Sequence, residues 1–270
     1  MHELAVKAFM DNPDAPRPGN PIHSTGGGQE YGYRSALVGG VDVYGWGTRL
    51  IRQVLGDRWL SDGWVEVQFR RPVYPDDNLT VRVDGGDDGR HEFAIVTPDG
   101  LACIKGFCGL GQATWLHELH RQGFVPGELA EDPLPVLKLA NAPVGQLVKP
   151  LAIEFPVDEH ADLVRRRQPD EDETFLGPAP LVHPAFLAGL MTRLMHHSFD
   201  YGPAIHAATM IQHLQSVPAG QPLVVTGFCQ RAYERKGHHY YVSDGTIWSA
   251  DALELVRLRH TAIFSVAKRK

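Results

Sequence analysis

The chain is poor in what several protein classes need. It has 3 cysteines in 270 residues. Cys103, Cys108 and Cys229 are an odd set, at spacings that suit neither a disulfide framework nor a Cys-x-x-Cys metal clip. A reducing, cytoplasmic setting is expected. Cations are not in excess either: 26 Lys and Arg stand against 32 Asp and Glu, a net charge of -6, whereas nucleic acids and anionic membranes select for a basic field. Neither partner is expected, and any anionic ligand must meet a local basic patch.

Long apolar runs are also missing. Residues 1–16 carry Glu3, Lys7, Asp11 and Asp14 where an export signal would be apolar. The charge-free stretch 175–192 is broken by Pro178, Pro180, His183 and Pro184, so it suits a loop entering a buried helix better than a membrane span. Motifs for metal and phosphate are incomplete. His117 and His120 are three apart where a zinc helix needs four, and Thr25-Gly26-Gly27-Gly28 lacks the Lys-Ser/Thr of a phosphate loop. No metal is expected, and the glycine run reads as a flexible lid or turn.

What is present is an ordinary globular mix, 43% apolar and 21% charged, on a length that allows one large domain or two of usual size. An internal repeat favours two. Thr48-Arg49-Leu50 recurs as Thr192-Arg193-Leu194, a spacing of 144 residues (192 − 48). The same spacing pairs Leu37-Val38 with Leu181-Val182, Gly45 with Gly189, Gln68 with Gln212, Leu79 with Leu223 and Val81 with Val225. Repeats at a fixed spacing are the signature of one structural unit used twice.

Each copy has the same pattern. Residues 36–55 show helical apolar spacing with a glycine-rich start, as in a helix buried on most sides. Residues 63–69 then alternate Trp64, Glu66, Gln68 against Val65, Val67, Phe69, the period of a half-buried strand. Strands over 79–83, 91–97 and 101–110 follow, with turns at Gly85-Gly86 and Pro98-Asp99-Gly100. In the second copy the helix is 184–199 and the strands are near 205–214, 223–234, 239–243 and 253–265, with turns at Pro218-Ala219-Gly220 and Asp244-Gly245. The proline-rich, polar stretch 111–149 reads as a linker long enough to cross a sheet edge. One buried helix and a curled antiparallel sheet make an α+β unit, and pairing two such sheets edge to edge hides an exposed edge.

The run Asn20-Pro21-Ile22-His23, then Tyr31-Gly32-Tyr33, Ala36-Leu37-Val38-Gly39-Gly40-Val41 and residues 65–75 ending in Val73-Tyr74-Pro75, resembles MaoC-like hotdog proteins, the group that contains (R)-specific enoyl-CoA hydratases. The resemblance implies a tandem (double) hotdog: residues 1–110 and 150–270 as the two hotdogs and 111–149 between them. It implies an acyl thioester ligand, with coenzyme A or phosphopantetheine as part of the substrate and no separate cofactor. In that family the loop before the central helix looks like Asp-x-Asn-Pro-(Leu/Ile)-His, with Asp and His as acid/base pair and a backbone N–H at the helix start polarising the thioester carbonyl. Asn20, Pro21, Ile22 and His23 fit. The aspartate falls on Pro18, which cannot exchange a proton, so hydration loses one of its two groups. The second half has no Asn-x-x-His, so a single site is expected.

Candidate catalytic residues are therefore His23 as acid or base, Asn20 for positioning, Gly39 and Gly40 as donors to an oxyanion, and Asp42 in the first helical turn, where the dipole favours an acid in any case. Tyr31, Tyr33 and Tyr44 are candidates to line an acyl pocket, although each suits core packing too. Arg70, Arg71 and Lys236 are candidates for the anionic end of the ligand. His183, which matches Gly39 in the repeat, sits at the second helix start and is a candidate relic or second-site substrate-binding group. The leading expectation is a hydratase or dehydratase acting on a CoA- or carrier-protein-linked acyl thioester. Alternatives are a thioesterase using Asp42 to activate water, or a non-catalytic binder or cyclase. A homodimer of such chains is compatible with this scheme.

Overall fold

In a computed structural model, the structure describes residues 1–17, 19–86, 89–168 and 171–267. Pro18, on which the missing aspartate falls, lies outside the described residues. The first half runs β1 (His2–Lys7), a 3₁₀ turn (Pro21–His23), α1 (Thr25–Glu30), α2 (Gly40–Leu55), α3 (Trp59–Asp62), β2 (Gly63–Phe69), β3 (Asn78–Asp84), β4 (Arg90–Val96) and β5 (Ala102–Leu110). The second runs β6 (Leu147–Ile153), α4 (Val157–Arg167), α5 (Glu173–Leu176), α6 (Pro184–Ser198), β7 (Ile205–His213), β8 (Leu223–Arg235), β9 (His238–Ser249) and β10 (Glu254–Ser265). All ten strands form one sheet in the order β1-β3-β4-β5-β2-β7-β10-β9-β8-β6. This is a double hotdog: two curled five-stranded sheets joined edge to edge, each holding one long helix.

The repeat is visible in the joint. α2 begins at Gly40 and α6 at Pro184, the spacing of the sequence repeat. Where β2 meets β7, Glu66 faces its own repeat partner Met210, while Trp64 faces Gln212 and Gln68 faces Ala208. A local two-fold axis therefore passes between Glu66 and Met210. The helices meet about the same axis. A Cβ on Gly45 would lie 2.6 Å from the Ala185 Cβ, whereas a Cβ on its repeat partner Gly189 would meet nothing nearer than Val41 at 3.9 Å. The contact is closed on one side and open on the other, and the opening becomes a cavity.

Both central helices are buried as their apolar spacing predicts. From α2, Tyr44, Leu50 and Ile51, and from α6, Leu187, Leu190, Met191 and Leu194 enter one continuous core with Val65, Val81, Phe93, Val225 and Ile247 of the sheets. The segment after β5 crosses the outer face of the second sheet half. The Ala113 N–H donates to Gln212 Oε1 (2.8 Å), the His120 N–H to Asp244 Oδ2 (2.7 Å) and the Glu128 N–H to the Pro150 carbonyl (3.0 Å). Trp115, Leu116 and Leu119 pack on Trp64 there. β6 starts at Leu147, within the stretch expected to be linker.

Two local expectations change. Asp244-Gly245, expected as a turn, lies inside β9; the chain turns instead between Ser249 and Leu253, where Ala252 has φ of 61° and the Ser249 N–H donates to the Leu253 carbonyl. Asp244 can stay in a strand because Arg259 (2.6 Å), Gln230 (2.6 Å) and the His120 N–H satisfy its buried carboxylate. The glycine run, expected as a lid or turn, is the short helix α1, capped by Ser24, whose Oγ accepts from the Gly27 N–H. A Cβ on Gly27 would lie 2.1 Å from the Pro21 carbonyl oxygen, so glycine lets α1 lie directly on the turn that carries His23.

Candidate functional site

The cavity beside Gly189 has a volume of about 830 Å³ and runs between the two central helices to the start of β7. His23, Asn20, Tyr33, Gly39 and Gly40 line it, with Arg70 and Arg71 at its rim. His23 is placed by two clips. The Leu37 N–H donates to the Ile22 carbonyl (2.9 Å), and His23 Nδ1 lies 2.7 Å from the Leu37 carbonyl oxygen. A carbonyl can only accept, so Nδ1 carries the proton and a neutral His23 presents the lone pair of Nε2. Burial lowers the His23 pKa below its ordinary value; the Leu37 hydrogen bond and Asp42 oppose this, while Arg167 and Arg17 add to it. His23 is thus a neutral imidazole whose Nε2 has no hydrogen-bond partner among the described residues, at the cavity wall.

The helix start beside it is open. No side chain caps α2, and the Gly40 and Val41 N–H groups have no acceptor among the described residues. Such groups carry the positive end of the helix dipole. The second helix start is closed. Pro184 has no N–H, the Ala185 N–H donates to His183 Nδ1 (3.2 Å), and the His183 N–H donates to His160 Nε2 (3.1 Å). Phe175 and Phe186 pack around His183, and burial lowers its pKa to about 3. His183 is a helix cap set apart from the cavity lining, and one half alone keeps an accessible helix start.

The other candidates separate by surroundings. Asp42 is not a free carboxylate: Arg167 holds it at 2.8 Å and Gln168 Nε2 lies 3.4 Å away. Burial raises its pKa, against the pull of Arg167. No carboxylate hydrogen-bonds to His23 among the described residues. Asn20 spans the two halves, donating to the Ala204 carbonyl (2.8 Å) and accepting from the Ala204 N–H (3.1 Å). Tyr44 is fully buried in the core and Tyr31 is half-buried outside the cavity lining. Lys236 is exposed at the tip of the β8–β9 turn, not among the lining residues.

Sequence reasoning missed much of the second-half wall. Arg167, Arg193, His196, His206, Tyr201 and His260 line the cavity. Arg193 was in view as part of the repeated Thr-Arg-Leu, but identity between halves says nothing about which face meets a ligand. His206 and His260 sit in ordinary strand sequence. Their meeting, His260 Nδ1 to His206 Nε2 at 3.1 Å, joins residues far apart in the chain.

No family model matches the sequence, and no curated protein matches it. Among solved structures it is similar to a protein described as a MaoC domain dehydratase from Chloroflexus aurantiacus: 15% identity, 90% of this chain and 86% of that one covered, TM-score 0.60. It is also similar to a Mycobacterium tuberculosis protein with a double hotdog fold, at 12% identity, 87% and 84% coverage and TM-score 0.56. A protein described as a thioesterase from Novosphingobium aromaticivorans follows at 12% identity, 97% and 95% coverage and TM-score 0.52. Likeness at these identities is likeness of fold, and the fold hosts both chemistries. Among the described residues no helix is long and apolar enough to cross a membrane.

Proposed function

We propose that this double hotdog protein adds water to, or removes it from, an acyl thioester, with His23 as its single acid/base group. The observation that carries the proposal is the pairing of a tautomer-fixed, neutral His23 with the uncapped Gly40–Val41 helix start on one cavity wall. In hydration, His23 Nε2 takes a proton from water as the water oxygen bonds to the β-carbon. The alkene electron pair moves towards the thioester oxygen, whose negative charge the Gly40 and Val41 N–H groups stabilise. The imidazolium then returns its proton to the α-carbon, so one residue serves both transfers. A positioned acid/base group contributes about 10²- to 10⁴-fold, and one oxyanion donor about 10²- to 10³-fold.

A thioesterase would need a carboxylate such as Asp42 to activate water, and that carboxylate is engaged by Arg167 and Gln168. The same geometry therefore supports a hydro-lyase over a hydrolase. Arg70 and Arg71 at the rim suit the phosphates of coenzyme A or of a carrier's phosphopantetheine. The test is a mass-spectrometric screen against enoyl-, hydroxyacyl- and saturated acyl-CoA, repeated with His23→Ala and Asp42→Asn. A mass change of one water that falls at least about tenfold with His23→Ala, and less with Asp42→Asn, is expected. Release of free CoA, lost with Asp42→Asn but kept with His23→Ala, would replace the hydro-lyase with a thioesterase. Binding without turnover would leave a binder or cyclase.

A further inference from the structure

Four arginines line the cavity, Arg70, Arg71, Arg167 and Arg193, and among the described residues no aspartate or glutamate does. The chain as a whole carries 26 Lys and Arg against 32 Asp and Glu, so the cavity runs against the charge of its protein. A cleft lined by one sign of charge concentrates ligands of the opposite sign. Arg70 and Arg71 follow β2 at the rim and are taken above by the phosphates of the carrier. Arg167 ends α4 and Arg193 lies within α6. These two have no such role yet.

Their surroundings set them apart from ordinary surface cations. The two guanidinium groups lie over two stacked rings: Arg193 over Phe155 at 5.3 Å, Arg167 over Phe186 at 5.7 Å, with the ring centroids 6.2 Å apart. Arg167 has Asp42 as its counter-ion at 2.8 Å. Arg193 makes no hydrogen bond or ion pair among the described residues, and burial and the charge of Arg167 both lower its pKa. Two cations therefore share one carboxylate, and an incoming anion would relieve the surplus. The place is also close to the reacting groups. The charge of Arg167 acts on His23. Gly189 and Arg193 are four apart and share one face of α6, and the nearest group to a Cβ on Gly189 is Val41 at the helix start. Arg193 thus stands one turn, about 6 Å along α6, beyond that point.

We propose that the acyl group held in this cavity carries a carboxylate of its own, received by Arg193 with Arg167 beside it. The planar fork of a guanidinium matches a carboxylate in two parallel hydrogen bonds. The proposal rests on the acyl-thioester assignment above and specifies the substrate class: a monothioester of a dicarboxylic acid, with the thioester at the α2 start and the free carboxylate at α6.

Calorimetry with succinyl-, glutaryl- and adipoyl-CoA against butanoyl-, pentanoyl- and hexanoyl-CoA tests it, each pair matched in carbon number and saturated so that hydration cannot consume it. Wild type is expected to bind at least one carboxylated member about tenfold or more tightly than its match, the worth of one charge-assisted hydrogen bond. Arg193→Gln should bring that ratio close to one. The double variant Arg70→Gln with Arg71→Gln should weaken both members of a pair and keep their ratio. Equal wild-type affinities within every pair would overturn the proposal and leave the thioester assignment standing, and this comparison decides even where a variant does not fold. Arg193→Gln weakening both members equally would assign Arg193 to the phosphates and overturn it too. Failure of every acyl-CoA to bind would overturn both readings.

Discussion

Acid should unfold this protein well above the pH at which carboxylates titrate. His183, His213 and His260 are 1%, 1% and 0% exposed, and burial lowers their pKa values to about 3, 4 and 4. In the unfolded chain each returns to about 6.5. At pH 5 all three are neutral when folded and protonated when unfolded. Each then costs about 2 kcal/mol, the gap of about 1.5 pH units at about 1.4 kcal/mol per unit. Together they remove about 6 kcal/mol, much of the stability of an ordinary domain. The stability is fully present above about pH 6.5 and is lost as pH falls towards the folded values. His160, also lowered to about 4, acts in the same sense, while Asp42, raised by burial, opposes it. Urea unfolding followed by circular dichroism between pH 7.5 and 5 measures the loss. His213 allows a control, because neither ring nitrogen has a hydrogen-bond partner among the described residues, and the ring packs T-shaped against Trp59 at 5.0 Å between centroids. His213→Leu should flatten the acid limb by about 1.4 kcal/mol per pH unit. A urea midpoint that stays level from pH 7.5 to 5 would refute the account of these histidines as neutral in the fold.

Other outcomes follow from the same contacts. Turnover through a neutral His23 should hold level at neutral pH and fall only below the ordinary imidazole value, since its pKa is lowered; a pH–rate profile checks this, and a fall beginning above that value counts against His23 as base. Gly45→Ala must push the helices apart and should cost about 1–3 kcal/mol, whereas Gly189→Ala, in open space, should stabilise by about 0.5–1 kcal/mol; thermal melts of the two variants compare directly. Asp244→Ala, which leaves Arg259 and the His120 N–H without their carboxylate, should cost about 3–5 kcal/mol and speed hydrogen exchange over residues 113–128.

Much of this architecture was legible in the chain alone. The spacing of Thr48-Arg49-Leu50 and Thr192-Arg193-Leu194 placed both helices correctly, because each half must bury the same apolar stripe against the same kind of sheet and the repeat records that demand. Alternation along β2 was readable for the same reason. Asn20 to His23 pointed to one loop and one helix start, and the structure brings His23, Gly39 and Gly40 to one cavity. The rest depended on which side chains meet across the fold. Asp42 looked available until Arg167 closed on it, and His183 looked like a second site until His160 and Phe175 packed it into a cap. Asp244-Gly245 carries turn chemistry, yet Arg259 holds it in a strand. The second-half wall of the cavity came from α4, α6, β7 and β10 and left no trace in any local pattern. Periodicity reports the burial each residue needs, while the partner that satisfies a buried charge or ring nitrogen is chosen only when distant segments pack.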